Sequence, residues 1–255
     1  MVYFGYNTIM YIPTQNGIKR AVHSVRYTET APPDTLAELV HCFWWLRTDM
    51  LLPSDFHYHV LPDACVDIVF DLSSRRIATI MTPYTTSTTL NLGKSFRYVG
   101  IRLLPGVWRD DIANVVGGHV DVSQIGTQPI AEVYDRLCGR SSFAQQKVLV
   151  QFTKNLTAEN VIAPNKYIMT ILDQLDTIHT VADMAHVVKL SPRQLQRIFK
   201  QMIGFSPHDF LKVVRLQQSF NQHYLTVYTD QSHFIRSFRR ITGYTPKSYA
   251  GTFDV

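Results

Sequence analysis

The chain has 255 residues, 45% hydrophobic and 18% charged, the profile of an ordinary folded protein rather than a disordered or low-complexity one. No run approaches the ~18 uninterrupted apolar residues of a membrane-spanning helix, and the apolar N-terminus lacks the basic lead and small-residue cleavage site of a secretory signal. The net charge of +5 is unevenly spread: residues 156–255 hold 11 Lys and Arg against 7 Asp and Glu, while residues 1–155 hold 14 against 13, so a polyanion partner is expected for the C-terminal part.

In chain order, the first predicted element is a helix at Pro33–Leu46, where Pro33 and Asp34 suit a first turn. His57–Leu72, Arg76–Thr82 and Phe96–Leu104 are β-branched and aromatic runs, separated by Ser73-Ser74, Pro83 and Asn91 to Gly93, and read as strands of a small barrel or sandwich. From Pro129 the spacing turns helical, over Ile130–Leu137 and Ser142–Leu156. A domain boundary is expected near 155–163, where the chain is small, polar and proline-containing, giving a β-rich sensory or dimerisation domain over 1–155 and a helical domain over 156–255. Cys42, Cys65 and Cys138 have no paired spacing and fit a reducing compartment, so the cytoplasm is expected, with Cys65 buried and inert.

Two features of this half invite a site. His57 and His59 with Asp63 downstream have the spacing of strand-borne metal ligands, with His119 as the further candidate histidine, and the competing reading is a polar strand face or pocket rim. No metal is expected on balance. Phe43-Trp44-Trp45 and Trp108 could line an apolar ligand pocket, although such residues are more often plain core.

After the boundary, helix starts are marked by capping boxes: Thr180 with Asp183, Ser191 with Gln194, and Ser206 with Asp209, the last two followed by Pro192 and Pro207 at the favoured first position. Short helices joined by tight turns predict a helix-turn-helix over 180–204. In its second helix Leu195, Ile198, Phe199 and Met202 form the face to be buried, Gly204 is a left-handed C-cap, and Arg193, Gln196, Arg197 and Lys200 face outward. That outward set suits DNA: Arg forks onto guanine, Gln onto adenine, and Lys meets phosphate. The segment then repeats. SPRQLQRIFKQMIGFSPHDF (191–210) aligns with DQSHFIRSFRRITGYTPKSY (230–249) at an offset of 39, with Arg197/Arg236, Phe199/Phe238, Gly204/Gly243 and Pro207/Pro246 identical. Two such helices can enter successive major-groove segments.

These two segments and RLQQSF at 215–220 closely resemble, over about 160–250, the DNA-binding domain of AraC/XylS-type bacterial transcription regulators, in which two helix-turn-helix units are joined by a long helix. The resemblance implies an α+β multidomain fold: an N-terminal β-rich, cupin-like barrel domain with flanking helices, then an all-α double helix-turn-helix domain with a linker helix over 207–224 and a second reading helix over 230–242. It implies DNA contacts from Arg193, Gln194, Gln196, Arg197 and Lys200 in the first unit, and from Gln231, Ser232, His233, Arg236 and Arg239 in the second. LPDACVDIVFDL and YVGIRLLPG resemble a subgroup whose N-terminal domain has no assigned ligand. One departure stands out. NQHYLTVYTDQSHF leaves no room for the first helix of the second unit, so either Phe234 and Phe238 brace the reading helix on the linker helix instead, or the second unit is loose and the first carries most of the specificity. The expected partner is double-stranded DNA, with RNA polymerase, a small-molecule effector and a second copy of the chain as further partners left open. No cofactor, membrane or catalysis is expected. The alternatives are a cupin-like metal-dependent enzyme, or a regulator acting through protein partners with a relic DNA-binding domain.

Overall fold

The computed structural model describes residues 11–253 apart from 16, 20–23, 74–75, 110–117, 222–224 and 226–227. The N-terminal part carries eight principal strands: β1 (Val25–Thr30), β2 (Val40–Thr48), β3 (His57–Val60), β4 (Val66–Asp71), β5 (Ala78–Met81), β6 (Thr88–Asn91), β7 (Arg97–Leu103) and β8 (His119–Val122). Six of them form one antiparallel sheet in the order β1-β2-β7-β4-β5-β8, and β3 pairs with β6 in a separate two-stranded ribbon.

Alternation along the central strands sends two different sets of side chains to the two faces of the sheet. Phe43 and Trp45 on β2, Val66, Ile68 and Phe70 on β4, and Val99, Ile101 and Leu103 on β7 form one core with α1 (Ile130–Leu137) and α2 (Ser142–Ala158). Trp45 Nε1 donates to Gln145 Oε1 of α2 at 2.8 Å, and Gln145 Nε2 donates to Leu137 O at 2.9 Å, so this buried polar side chain is satisfied. Cys42, Trp44 and Leu46 on β2, Val69 on β4 and Tyr98 on β7 face the other way, under the β3–β6 ribbon.

The region expected as a helix over Pro33–Leu46 is not one. A single 3₁₀ turn spans Asp34–Leu36, and from Val40 the chain is strand, paired with β1 on one side and β7 on the other. The first-turn signal at Pro33 and Asp34 is real but local. VHCFWWLRT is aromatic and apolar, and its pairing on both edges decides the backbone. The run expected as one strand over His57–Leu72 is likewise broken between β3 and β4, where Ala64 takes a left-handed φ of 59°.

Gly100 lies opposite Trp44 in the β2–β7 register, and a Cβ there would sit 2.1 Å from Trp44 Cε2. Gly100→Ala is therefore expected to push the indole off the sheet and to cost about 1–3 kcal/mol, the usual penalty of overpacking. Urea unfolding followed by tryptophan fluorescence checks this; a midpoint equal to wild type would contradict it.

The helical part comprises α3 (Lys166–Asp173), α4 (Val181–Val187), α5 (Pro192–Met202), α6 (Pro207–Asn221), α7 (Gln231–Thr242) and α8 (Pro246–Thr252). The connection between α2 and α3 stays pinned to the β-rich part by the Trp108–Ile162 bridge and by Ala163 N donating to Val107 O at 2.9 Å. Two cores build the helices. One joins Ile171, Met184, Leu195, Phe199, Phe210, Val213 and Val214 with Ala64 and Cys65 of the β3–β4 connection. The other joins Leu216, Tyr228, Phe234, Phe238, Ile241, Tyr249 and Phe253 with Leu61 of the same connection. Leu61–Cys65 is thus shared by the β-rich and helical parts. Among the described residues no helix is long and apolar enough to cross a membrane.

Candidate functional site

Helix α4 is started by a complete capping box: Asp183 N donates to Thr180 Oγ1 at 3.1 Å and Thr180 N donates to Asp183 Oδ2 at 2.7 Å. Hydrogen bonds from His179 N and from Thr180 hold the Asp183 carboxyl below its ordinary range. After a turn with Lys189 at φ 54°, α5 begins with a second box: Gln194 N donates to Ser191 Oγ at 3.3 Å and Ser191 N donates to Gln194 Oε1 at 2.9 Å. At the third start Ser206 Oγ donates to Asp209 Oδ2 at 2.7 Å while accepting from Asp209 N, as Ser191 Oγ does with Gln194.

Helix α5 buries Leu195 and Phe199, the latter against Phe210 at 5.0 Å between ring centroids, whereas Ile198 and Met202 are only half-buried and Ile203 takes the remaining core position. Gly204 follows at φ 91°. Arg193, Gln194, Gln196, Arg197 and Lys200 are exposed. Gln194 is distinct among them, since its side-chain oxygen is taken by the cap and only its amide NH2 is left to donate.

The repeat seen in sequence is a repeat in backbone. Asp230 caps α7 by accepting from His233 N at 2.7 Å; Phe234, Phe238 and Ile241 are buried; Gly243 ends the helix at φ 80°; and Pro246 opens α8 as Pro207 opens α6. Gln231, Ser232, His233, Arg236, Arg239 and Arg240 are exposed. Among the described residues, none of Arg193, Arg197, Lys200, Arg236, Arg239 and Arg240 enters an ion pair, so six cations stand unpaired on two like helices. Part of the stretch in which the second unit was expected to lack a helix, 222–224 and 226–227, lies outside the described residues. The brace of α7 is described. Phe238 meets Phe220 of α6 and Tyr249 of α8, each at 5.6 Å, and Phe234 meets Tyr228 at 5.2 Å. The β-rich part adds to it: Ser87 N donates to Ile241 O at 2.8 Å, and the His59 ring lies 4.7 Å from Phe253, 5.5 Å from Tyr249 and 5.6 Å from Tyr244.

His59 is therefore a packing residue at the junction, and burial lowers its imidazole to about 4. His57 is exposed, and Asp63 is buried against Arg102, so these three do not form a ligand set. Among the described residues only Glu29, His41 and Cys42 bring ligand atoms within 4.8 Å of one another. Arg102 already stands on two of them, 3.1 Å from Glu29 and 3.9 Å from Cys42 Sγ. Burial also pushes the Cys42 thiol far up, away from the thiolate that binds metal, so the group does not suit a metal ion.

A second site lies on the sheet face under the β3–β6 ribbon, where a cavity of about 400 Å³ is walled by Tyr27, Trp44, Tyr58, Tyr98, Met81 and Leu90 and floored by Asp63, Asp67 and Arg102. Arg102 is 4% exposed; its Nε lies 3.2 Å from Asp63 Oδ2 and 3.4 Å from Asp67 Oδ1, and its Nη1 lies 3.1 Å from Glu29 Oε1. Trp44 Nε1 donates to Asp67 Oδ1 at 2.6 Å. Of the four aromatic residues singled out in the sequence, Trp44 alone lines this cavity, while Phe43, Trp45 and Trp108 join the opposite core. The charged floor was missed. Its one sequence signal is Arg102 in the apolar run YVGIRLL, two residues from Gly100 and set opposite Asp67 only by the β4–β7 register.

The cavity touches the helical part through Leu61–Cys65. Gln15 Nε2 donates to both Leu61 O and Asp63 Oδ2, and Leu61 N donates to Gln15 Oε1 at 3.2 Å. One residue on, Gln217 of α6 donates through Nε2 to Pro62 O at 2.8 Å and accepts from Thr14 N at 2.7 Å. Gln217 is 1% exposed. The pocket floor and the helix that joins the two repeated units are thus one hydrogen bond apart along the backbone.

Residues 28–112, which hold most of this cavity, match a family described as a domain of unknown function (DUF6597). No curated protein matches the chain. Among solved structures, ToxT from Vibrio cholerae is similar with a TM-score of 0.43 at 9% identity, over 88% of this chain and 96% of that one. A structure of wild-type ToxT from Vibrio cholerae strain SCE256 with bound unsaturated fatty acid gives 0.42 at 10% identity, over 94% and 98%.

Proposed function

We propose that the protein is a sequence-specific DNA-binding transcription regulator of the AraC/XylS type, reading the major groove with α5 and, through a second contact, with α7. The reading is carried by one observation: two helices repeated at an offset of 39 residues each bury an apolar face and present, on the other, cations that pair with no acid among the described residues. On a polyanion such a face acts in two ways. Lys200, Arg239 and the other cations attract phosphates and release counterions, giving salt-sensitive affinity. Arg193, Gln196 and Arg197 on α5, and Gln231, Ser232, His233 and Arg236 on α7, reach for base edges, where Arg forks onto guanine and Gln onto adenine. Gln194, tied into its cap, is left to donate to a phosphate. The chain divides into a β-rich module over 1–155 and a helical module over 156–255. The first serves as the sensor, its cavity holding a small-molecule effector, and no step of catalysis is assigned to it. A second copy of the chain and RNA polymerase are the further partners of this reading.

The direct test is fluorescence anisotropy with a labelled random-sequence duplex across a series of salt concentrations. Affinity is expected to fall steeply with salt, by about tenfold or more between 50 and 200 mM if several phosphates are contacted. Affinity that ignores salt, or no binding at 50 mM, would overturn the reading.

A further inference from the structure

The regulator reading leaves the chemistry of the effector open, and the charge balance of the cavity narrows it. Three carboxylates, Asp63, Asp67 and Glu29, surround the single guanidinium of Arg102, leaving two negative charges in excess beside the cavity. Asp63 and Asp67 line the cavity themselves, and its walls are tyrosine and tryptophan rings. From this we infer that the cavity binds a small organic cation, a primary or quaternary ammonium on an apolar or aromatic body, with its charge toward Asp67 and Asp63 and its body among Tyr27, Trp44, Tyr58 and Tyr98.

Each ligand class meets a different fate there. A cation neutralises the excess carboxylate charge and gains the negative faces of the rings, an attraction that strengthens when water is excluded. A carboxylate would add a third negative charge to the excess and compete with three partners already on Arg102. A neutral polyol would find hydrogen bonds and leave the excess uncompensated. The cavity, at about 400 Å³, falls within the usual range for small-ligand sites. As an effector site this rests on the regulator reading; as a binding site it does not. The consequence for regulation runs through Asp63. A cation drawing on that carboxylate competes with Arg102 and with Gln15, and Gln15 holds Leu61, the neighbour of the carbonyl that Gln217 of α6 grips. Ligand binding thereby biases the seat of the helix between the two reading units.

The test uses the full chain and no DNA, so its failure and the failure of DNA binding are separate results. Isothermal titration at pH 7.5 compares phenethylammonium and choline with 3-phenylpropionate and 2-phenylethanol, while tryptophan fluorescence reports on Trp44. At least one ammonium is expected to bind about tenfold or more tightly than both the acid and the alcohol. Asp67→Asn is expected to weaken it about tenfold or more, with Tyr98→Leu as a second variant that removes a ring face and leaves the ion cluster intact. Affinity should also be lower at pH 5 than at pH 7.5. Burial lifts the Asp67 carboxyl to about 6, with Asp63 adding to the rise and Arg102 and Trp44 opposing it, and the carboxyl must lose its proton to hold the cation. Besides those groups, Cys42 and Tyr27 face Arg102 from β2 and β1, and burial keeps both protonated across this range. Tighter binding of the acid, no binding of either ammonium, or unchanged ammonium affinity in both variants would overturn the inference.

Discussion

Replacing Arg102 with Met is expected to cost the β-rich part about 3–5 kcal/mol at pH 7.5, the usual result of removing one partner from a buried ion cluster. The arithmetic of charge explains why. The guanidinium is the shared partner of Asp63, Asp67 and Glu29, and without it the two buried carboxyls have no cation among their described contacts. The loss should depend on pH with a definite sign. Burial, with Asp63 alongside, already lifts Asp67 from 3.8 to about 6 in the folded protein, so the folded state holds a proton there that the unfolded chain releases at lower pH. A carboxyl whose folded value is raised costs stability above that value, and the cost is relieved as pH falls toward the unfolded value. In Arg102→Met the lift grows, so the deficit relative to wild type should shrink between pH 7.5 and pH 5. All three tryptophans, Trp44, Trp45 and Trp108, lie in the N-terminal part, so their fluorescence during urea unfolding reads this part specifically. A deficit below about 1 kcal/mol at both pH values would mean that the cluster contributes nothing net, as some buried ion networks do.

The second large effect is on DNA. Removing both Arg193 and Arg197 from α5 is expected to weaken binding to a selected site by about 2–6 kcal/mol, roughly 30-fold to more than 10⁴-fold, if each forks onto a base or grips a phosphate at about 1–3 kcal/mol. Both side chains are exposed and outside every described ion pair, so thermal stability should stay within about 0.5 kcal/mol of wild type. That separation matters, because a fold defect would also abolish binding. Single replacements then sort the roles. Arg197→Ala that relaxes preference at one base pair marks a base contact, and uniform weakening with a shallower salt dependence marks a phosphate contact. Arg236→Ala on α7 asks the same of the second helix. Its brace draws on Phe220, Tyr249 and the His59 side of the β-rich part, so it is held by three elements even where the chain between α6 and α7 is short.

The helical half was legible in sequence because its signals are local. Capping residues at Thr180, Ser191 and Ser206, prolines at 192, 207 and 246, and glycines at 204 and 243 each dictate backbone within a few residues, and the helices start and stop where they fall. The β-rich half was less legible because its structure is decided by distant pairing. Val40–Thr48 carries a helix-start signal just ahead of it, and only β1 and β7 on its two sides make it a strand. The charged cavity floor is an extreme case. Arg102 lies more than thirty positions from Asp63 and Asp67 and is set beside them only by the β4–β7 pairing, whereas His57 and His59, close together in sequence, point to solvent and to the aromatic junction. Of the aromatics at 43–45, Trp44 lines the cavity and Phe43 and Trp45 join the opposite core, because alternation along β2 sends them to the other face.

A sequence-specific regulator of this kind needs α5 to read sequence. Selection of tight binders by the full chain from a pool of randomised duplexes, followed by sequencing, measures this directly. The expected result is one enriched motif, extended to two half-sites about one helical turn apart if α7 also reads, with the preference at one position lost in Arg197→Ala. A pool that stays random after repeated rounds, at a salt concentration where the protein still binds DNA, would contradict it.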